Sequence, residues 1–121
     1  MDIETLRNYC ISKKGVTEEL PFGPDTLVFK VMGKVFALAG LDSLPVNVNL
    51  KCDPGKAVEL REEYEALILP GYHMNKQHWN TVILDGHLKS DFIFQLVDDS
   101  YNLVKAGLTK KQQQELKDLD E

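Results

Sequence analysis

The chain has 121 residues, a formal net charge of −5, 43% hydrophobic content and 27% charged content. That mix can bury one hydrophobic core without staples and excludes a wholly disordered chain. The negative balance excludes tight, indiscriminate coating of nucleic acid, which needs a broad basic footprint, but it leaves room for a local basic patch.

Two cysteines, Cys10 and Cys52, without a secretory leader read as free thiols in a reducing compartment. The opening MDIETLRNYC has no basic segment followed by an apolar stretch, and apolar runs such as residues 35–39 are far too short to cross a bilayer. The expectation is a cytoplasmic protein without a membrane partner.

In chain order, Ile3, Leu6 and Cys10 share one helical face, so residues 3–14 read as a helix, with Asp2 as N-cap and Gly15 as its stop. Residues 17–25 hold Pro21, Gly23 and Pro24 and read as a loop. The period then changes to two. Residues 26–32 form a strand with Leu27, Phe29 and Val31 on one face; Gly33-Lys34 reverses the chain tightly; residues 35–39 return as the second arm of a hairpin. Residues 46–52 alternate most cleanly, with Val46, Val48 and Leu50 facing a core and Asn47, Asn49 and Lys51 facing water.

Asp53-Pro54 starts a helix, with a carboxylate N-cap and proline in the first turn, and Ala57, Leu60, Arg61 and Tyr64 form its stripe. Its acids Glu59, Glu62, Glu63 and Glu65 read as a solvated side. Two short strands follow, residues 66–70 and 78–84, separated by the polar turn 71–77. Ser90 is the expected N-cap of a long helix reaching Ala106, and Thr109 with Gln112 fits a capping box opening a last, polar helix. The order is α-β-β-β-α-β-β-α-α. It predicts an α+β fold, an antiparallel β-sheet with helices packed on one face. Residues 1–107 form one domain, and residues 108–121 form a polar helical extension.

Three segments carry a resemblance. They are Pro21-Phe22-Gly23-Pro24 with the hairpin Leu27 to Leu38, Leu50-Lys51-Cys52-Asp53-Pro54, and the run Pro70-Gly71-Tyr72-His73-Met74-Asn75-Lys76-Gln77-His78-Trp79-Asn80-Thr81-Val82. Their order and spacing resemble the MmcQ/YjbR family, and Ser100-Tyr101 also fits. The resemblance covers residues 1–107 and implies a CyaY-like (frataxin-like) fold and the family's DNA-binding label. The acidic iron-binding ridge of frataxins does not carry over, because the first helix holds only Asp2 and Glu4 beside Arg7, Lys13 and Lys14.

Two regions stand out as candidate binding surfaces. The outward strand positions Asn47, Asn49 and Lys51, joined by Lys30 and Lys34, offer amide and ammonium donors to phosphate or peptide carbonyls. The segment 71–79 gathers Tyr72, His73, Asn75, Lys76, His78 and Trp79, a mixture suited to stacking on bases while lysine meets phosphate, and equally to a protein interface. Trp79 as a core side chain is the plainer expectation, and Asn75-Lys76 is most simply a turn. A hairpin across residues 74–77 would set His73 against His78, yet two imidazoles alone do not complete a metal site, so no metal or cofactor is expected. Neither a phosphate-binding nor a nucleophile-elbow motif occurs. Cys10 reads as an inert core thiol, and Cys52 sits near a helix N-terminus that would lower its pKa. The expectation is a non-enzymatic binding domain with DNA as partner, the alternatives being another protein on the open sheet face or a small-ligand or metal site near His73 and His78.

Overall fold

Asp2 begins the first helix as expected: its carboxylate accepts the Thr5 amide at 2.8 Å, and α1 spans Ile3–Ile11. In this computed structural model residues 1–71 and 74–119 are described. The helix ends at the Ser12 cap, three residues earlier than Gly15 would stop it. Gly15 instead takes φ +76° in the turn leading to β1 (Val16–Glu19), a conformation that costs glycine little.

That strand is an addition to the expected order, which placed a loop there. Only Val16 is strongly apolar in it, so it carries no alternation to read; charge pairs hold it instead. Arg7 donates from Nε and Nη2 to the Glu18 carboxylate at 2.7 and 2.5 Å, and Lys30 pairs with Glu19 at 3.3 Å.

β2 (Thr26–Val31) and β3 (Lys34–Gly40) form the predicted hairpin. Met32 and Gly33, with φ 49° and 83°, are its two turn residues, the geometry that matches the right-handed strand twist. β4 (Asn47–Lys51) follows, then α2 (Pro54–Glu63), with Asp53 as N-cap accepting the Lys56 amide. β5 (Ile68–Pro70) and β6 (Trp79–Ile83) complete the sheet, whose order is β1-β2-β3-β4-β6-β5 with every neighbouring pair antiparallel.

The long helix α3 (Ser90–Ala106) lies across β2, β3 and β4. Its N-cap is Lys89, and Ser90 is already inside the helix; no side chain caps it, and Asp91 in the first turn supplies the negative charge that the exposed amides favour. α4 (Lys110–Asp118) opens with the predicted capping box of Thr109 and Gln112, and Leu116 anchors it.

All four helices thus stand with the core on one side of the sheet. Val48, Val82, Ile68 and Ala39 form one buried row, and Phe29, Ala37 and Leu50 the next, beneath Ile93, Leu96 and Val97 of α3. β3 and β4 part after the Ala37–Leu50 pair. The Ser100 hydroxyl fills that gap: wholly buried, it donates to the Phe36 carbonyl at 2.5 Å and accepts the Lys51 amide at 2.8 Å. Two strand groups that would otherwise be orphaned are satisfied by one side chain.

Candidate nucleic-acid interface

The antiparallel register brings the lysines chosen from sequence to one end of the sheet. The β2–β3 hairpin, the end of β4 and the start of β6 all lie there, and with them Lys30, Lys34, Lys51 and the turn 74–78. Lys51 is directly across from Trp79. Lys34 and Lys76 are exposed, and Lys51 is half-buried. Among the described residues Lys34, Lys51 and Lys76 make no ion pair, whereas Lys30 is held by Glu19. The basic groups at this end are therefore mostly unneutralised in a chain whose total is −5.

The turn is built as expected for Asn75-Lys76. The Asn75 side chain accepts the Gln77 amide at 2.8 Å, and its carbonyl accepts the amides of His78 and Trp79 at 3.0 and 2.9 Å. Arg61 of α2 donates to the Lys76 carbonyl at 3.3 Å and ties the turn to the helix layer. Between them lies an open cleft of about 530 Å³ lined by Pro54, Val58, Arg61, Pro70, Lys76 and Gln77. Sequence reasoning did not single out Arg61; its place in the helical stripe read as packing, and only the fold shows it reaching the turn.

Gly71 and Trp79 are pressed together. The Gly71 amide donates to the Trp79 carbonyl at 2.9 Å, and a Cβ at Gly71 would meet Trp79 Cβ at 2.9 Å. Trp79 is buried, as the plainer expectation held, but the register sets it on the face away from the helices, outside the main core. It offers no exposed stacking surface. Tyr72 and His73 lie outside the described residues, and with them the proposed facing of His73 and His78. His78 is half-buried, and its carbonyl accepts the Cys52 amide at 2.6 Å.

The outer sheet face needs a correction. Asn47, Asn49 and Lys51 do point away from the helices, and Thr81 joins them from β6. Yet Asn49 is only 3% exposed: its carbonyl oxygen accepts the Thr81 hydroxyl at 2.6 Å, and its amide reaches the Leu38 carbonyl at 3.5 Å. Val28, 1% exposed, Leu38 and Leu69 share its row, so the face is part apolar and its central amide is already spent on neighbouring strands. A groove of about 280 Å³ beside Asn47 and Asn49 is bounded by Asp42 and Ser43 on one side and by Leu38, Leu69 and Pro70 on the other. Asn80 turns to the other side, is 3% exposed and donates to the Ala57 carbonyl at 3.4 Å.

The thiols are both buried. Burial pushes Cys10 up to about 12, against the opposing pull of Lys13. Cys52 also lies above its ordinary value, raised first by burial and further by Asp53 and Asp99 against the pull of Lys56 and the Asp53 backbone; this overturns the lowering expected there. A neutral thiol is the weaker nucleophile. Among the described residues no three His, Cys, Asp or Glu side chains gather as a metal-ligand set, and no helix is long and apolar enough to cross a membrane.

With these features in place, the comparisons with known proteins decide the family. The YjbR family model matches residues 11–103. The chain belongs to the YjbR family. It is 42% identical over 98 residues to YbdF of Escherichia coli O157:H7, covering 80% of this chain and 79% of YbdF. It is 36% identical over 102 residues to YjbR of E. coli K12, covering 84% and 85%. The crystal structure of the Deinococcus radiodurans protein DR2400 superposes with a TM-score of 0.88 at 39% identity, covering 94% of this chain and 86% of that one. The YjbR match thus stops before the end of α3, whereas the Deinococcus structure matches most of the chain.

Proposed function

We propose that this YjbR-family chain is a non-catalytic domain that binds DNA through the lysine-bearing end of its sheet. One observation carries the reading: Lys34, Lys51 and Lys76 share this end of the sheet and, among the described residues, make no ion pair, although the chain is acidic overall. Unneutralised lysines release counterions when they meet phosphates, and that release is the main driving force for sequence-independent binding. Arg61, half-buried beside Lys76, adds a planar donor suited to a phosphate. Buried Trp79 serves this surface as a support for Lys51 and Gly71, not as a base-stacking platform. With three to four charges engaged, the affinity belongs to the weak, non-specific range of about 10⁻⁴ to 10⁻⁶ M.

Fluorescence anisotropy of a labelled DNA duplex against ionic strength tests it. Three phosphate contacts give a slope of log K on log salt of about −2.7. Replacing Lys34, Lys51 or Lys76 by alanine should each flatten the slope by about one unit. Glu19→Gln, which releases Lys30, should steepen it. Absence of salt-dependent binding, or a slope unmoved by all three lysine variants, overturns the proposal.

A second reading, a protein partner, is favoured by the opposite end of the sheet. There the loops 20–25 and 41–46 leave Phe22 73% and Leu44 95% exposed, with Leu20 beside them. Large apolar side chains exposed together at one end of a sheet suit an interaction site. A partner recovered equally by the native chain and by a Phe22→Ser, Leu44→Ser variant would exclude this end.

A further inference from the structure

Two of the cations at the lysine-bearing end share one cleft, between α2 and the turn 74–78. It holds about 530 Å³, in the range of sites that enclose small molecules. Pro54, Val58 and Arg61 line it from one face of α2, and Pro70, Lys76 and Gln77 line it from the sheet side. Arg61 and Lys76 make no ion pair among the described residues. α2 also carries Glu59, Glu62 and Glu63, yet no carboxylate is among the described lining residues. Tyr72 and His73, the two residues near this turn that lie outside the described ones, are not acids.

We propose, resting on the DNA reading above, that this cleft seats the terminal phosphate monoester of a DNA strand, with the attached nucleotide against Pro54, Val58 and Pro70. A phosphate inside a strand carries one negative charge, whereas a terminal monoester carries about 1.5 to 2 at pH 7. Arg61 and Lys76 together match the terminal group. Lys34 and Lys51, each alone, match internal phosphates. The sheet order sets the row. β3, β4 and β6 lie side by side, so Lys34, Lys51 and Lys76 follow one another across this end on strands about 5 Å apart. Beyond β6 there is only β5, which stops at Pro70, a wall of the cleft. A row of single charges thus ends in a paired one at the margin of the sheet.

The donors are set before a strand arrives. Arg61 Nε donates to the Ala57 carbonyl at 3.2 Å and Nη1 to the Lys76 carbonyl at 3.3 Å, which holds the guanidinium beside the lysine it acts with. Its place in the last turn of α2 also offsets the carbonyl end of that helix. These tasks leave Nη2 free to donate to phosphate oxygens, with Lys76 as a second, point-like charge. A carboxylate would leave one of the two cations unmatched. An inorganic phosphate would match the charge but leave the apolar wall, with Val58 46% exposed, against water. A terminal nucleotide covers both.

Anisotropy titrations compare duplexes with a short overhang ending in a 5′-phosphate, a 3′-phosphate or a hydroxyl, each labelled at the far end. At least one phosphorylated duplex should bind on the order of tenfold more tightly than the hydroxyl duplex, the worth of one charge-assisted contact. Arg61→Gln should bring the two to equal affinity. Lys76→Gln, at an exposed turn position, should do the same and keeps the test open if the Arg61 variant fails to fold. Lys34→Gln should weaken both and keep their ratio. Equal binding of all three duplexes, with salt dependence intact, overturns the strand-end assignment and leaves the DNA reading standing; no binding of any duplex overturns both. A phosphate preference that survives the Arg61 and Lys76 variants, or thymidine 5′-monophosphate bound as tightly as the phosphorylated duplex, also overturns the assignment.

Discussion

Ser100→Ala should be among the most damaging single-atom deletions in this protein. The hydroxyl is wholly buried and serves two backbone groups, the Phe36 carbonyl and the Lys51 amide, where β3 and β4 separate. Alanine fits the helix better by about 0.5 kcal/mol, a small gain. Against it stand two buried groups left unpaired at about 1–3 kcal/mol each. Some relaxation of the strand ends lowers the sum, so a net loss of about 3 kcal/mol is expected, or roughly 10 °C in Tm for a domain of this size. Urea unfolding followed by circular dichroism measures it, with Asn102→Ala on the exposed side of α3 as control, expected to change stability by less than about 0.5 kcal/mol. A loss below about 1 kcal/mol would refute the argument, because it would mean that the two groups find other partners.

Two further outcomes follow from the packing and the charges. Gly71→Ala should cost about 1–3 kcal/mol, since its Cβ would press on Trp79 Cβ and carbonyl, both 2.9 Å away, and thermal unfolding reads it directly. In acid, the carboxyl of Asp98 is raised by burial but lowered further by the hydrogen bonds from Lys13 and Tyr9, so its folded pKa lies below the usual carboxylate value; Glu18 is lowered chiefly by Arg7. Both contribute stability that is complete above the ordinary range near pH 4 and lost as pH falls through the folded values. Tyr9, raised to about 12 first by its hydrogen bond to Asp98 and then by burial, gives the opposite limb: stability present below about pH 10 and lost as pH rises toward 12. Urea titrations of Asp98→Asn should flatten both limbs, and an unchanged alkaline limb would contradict the assigned contact.

Where side chains alternate by chemistry, the strands were legible: β2 and β4 face the core with the residues their patterns named. Where charge supplies the contact, they were not, and β1 escaped because Glu18 is satisfied by Arg7 of α1, eleven residues back. The lysine-bearing end was readable only as a set of residue types, since gathering Lys34, Lys51 and Lys76 depends on the register of three separate strands. Trp79 shows the same limit. Its burial follows from its size, but its face follows from its partner Lys51, which no local pattern encodes. Asn49 looked wet by alternation, and it is dry because Thr81 and Leu38 happen to flank it.

The two rims of the sheet have a consequence for crowding. An unpaired strand is a template on which other chains can polymerise. Here one rim, β1, is four residues long and carries Glu18 and Glu19, and the other, β5, is three residues long and stops at Pro70, which has no amide to lend. Neither offers a foothold for ribbon-like stacking, so whatever company this molecule keeps must be met through its loops, clefts and flat sides.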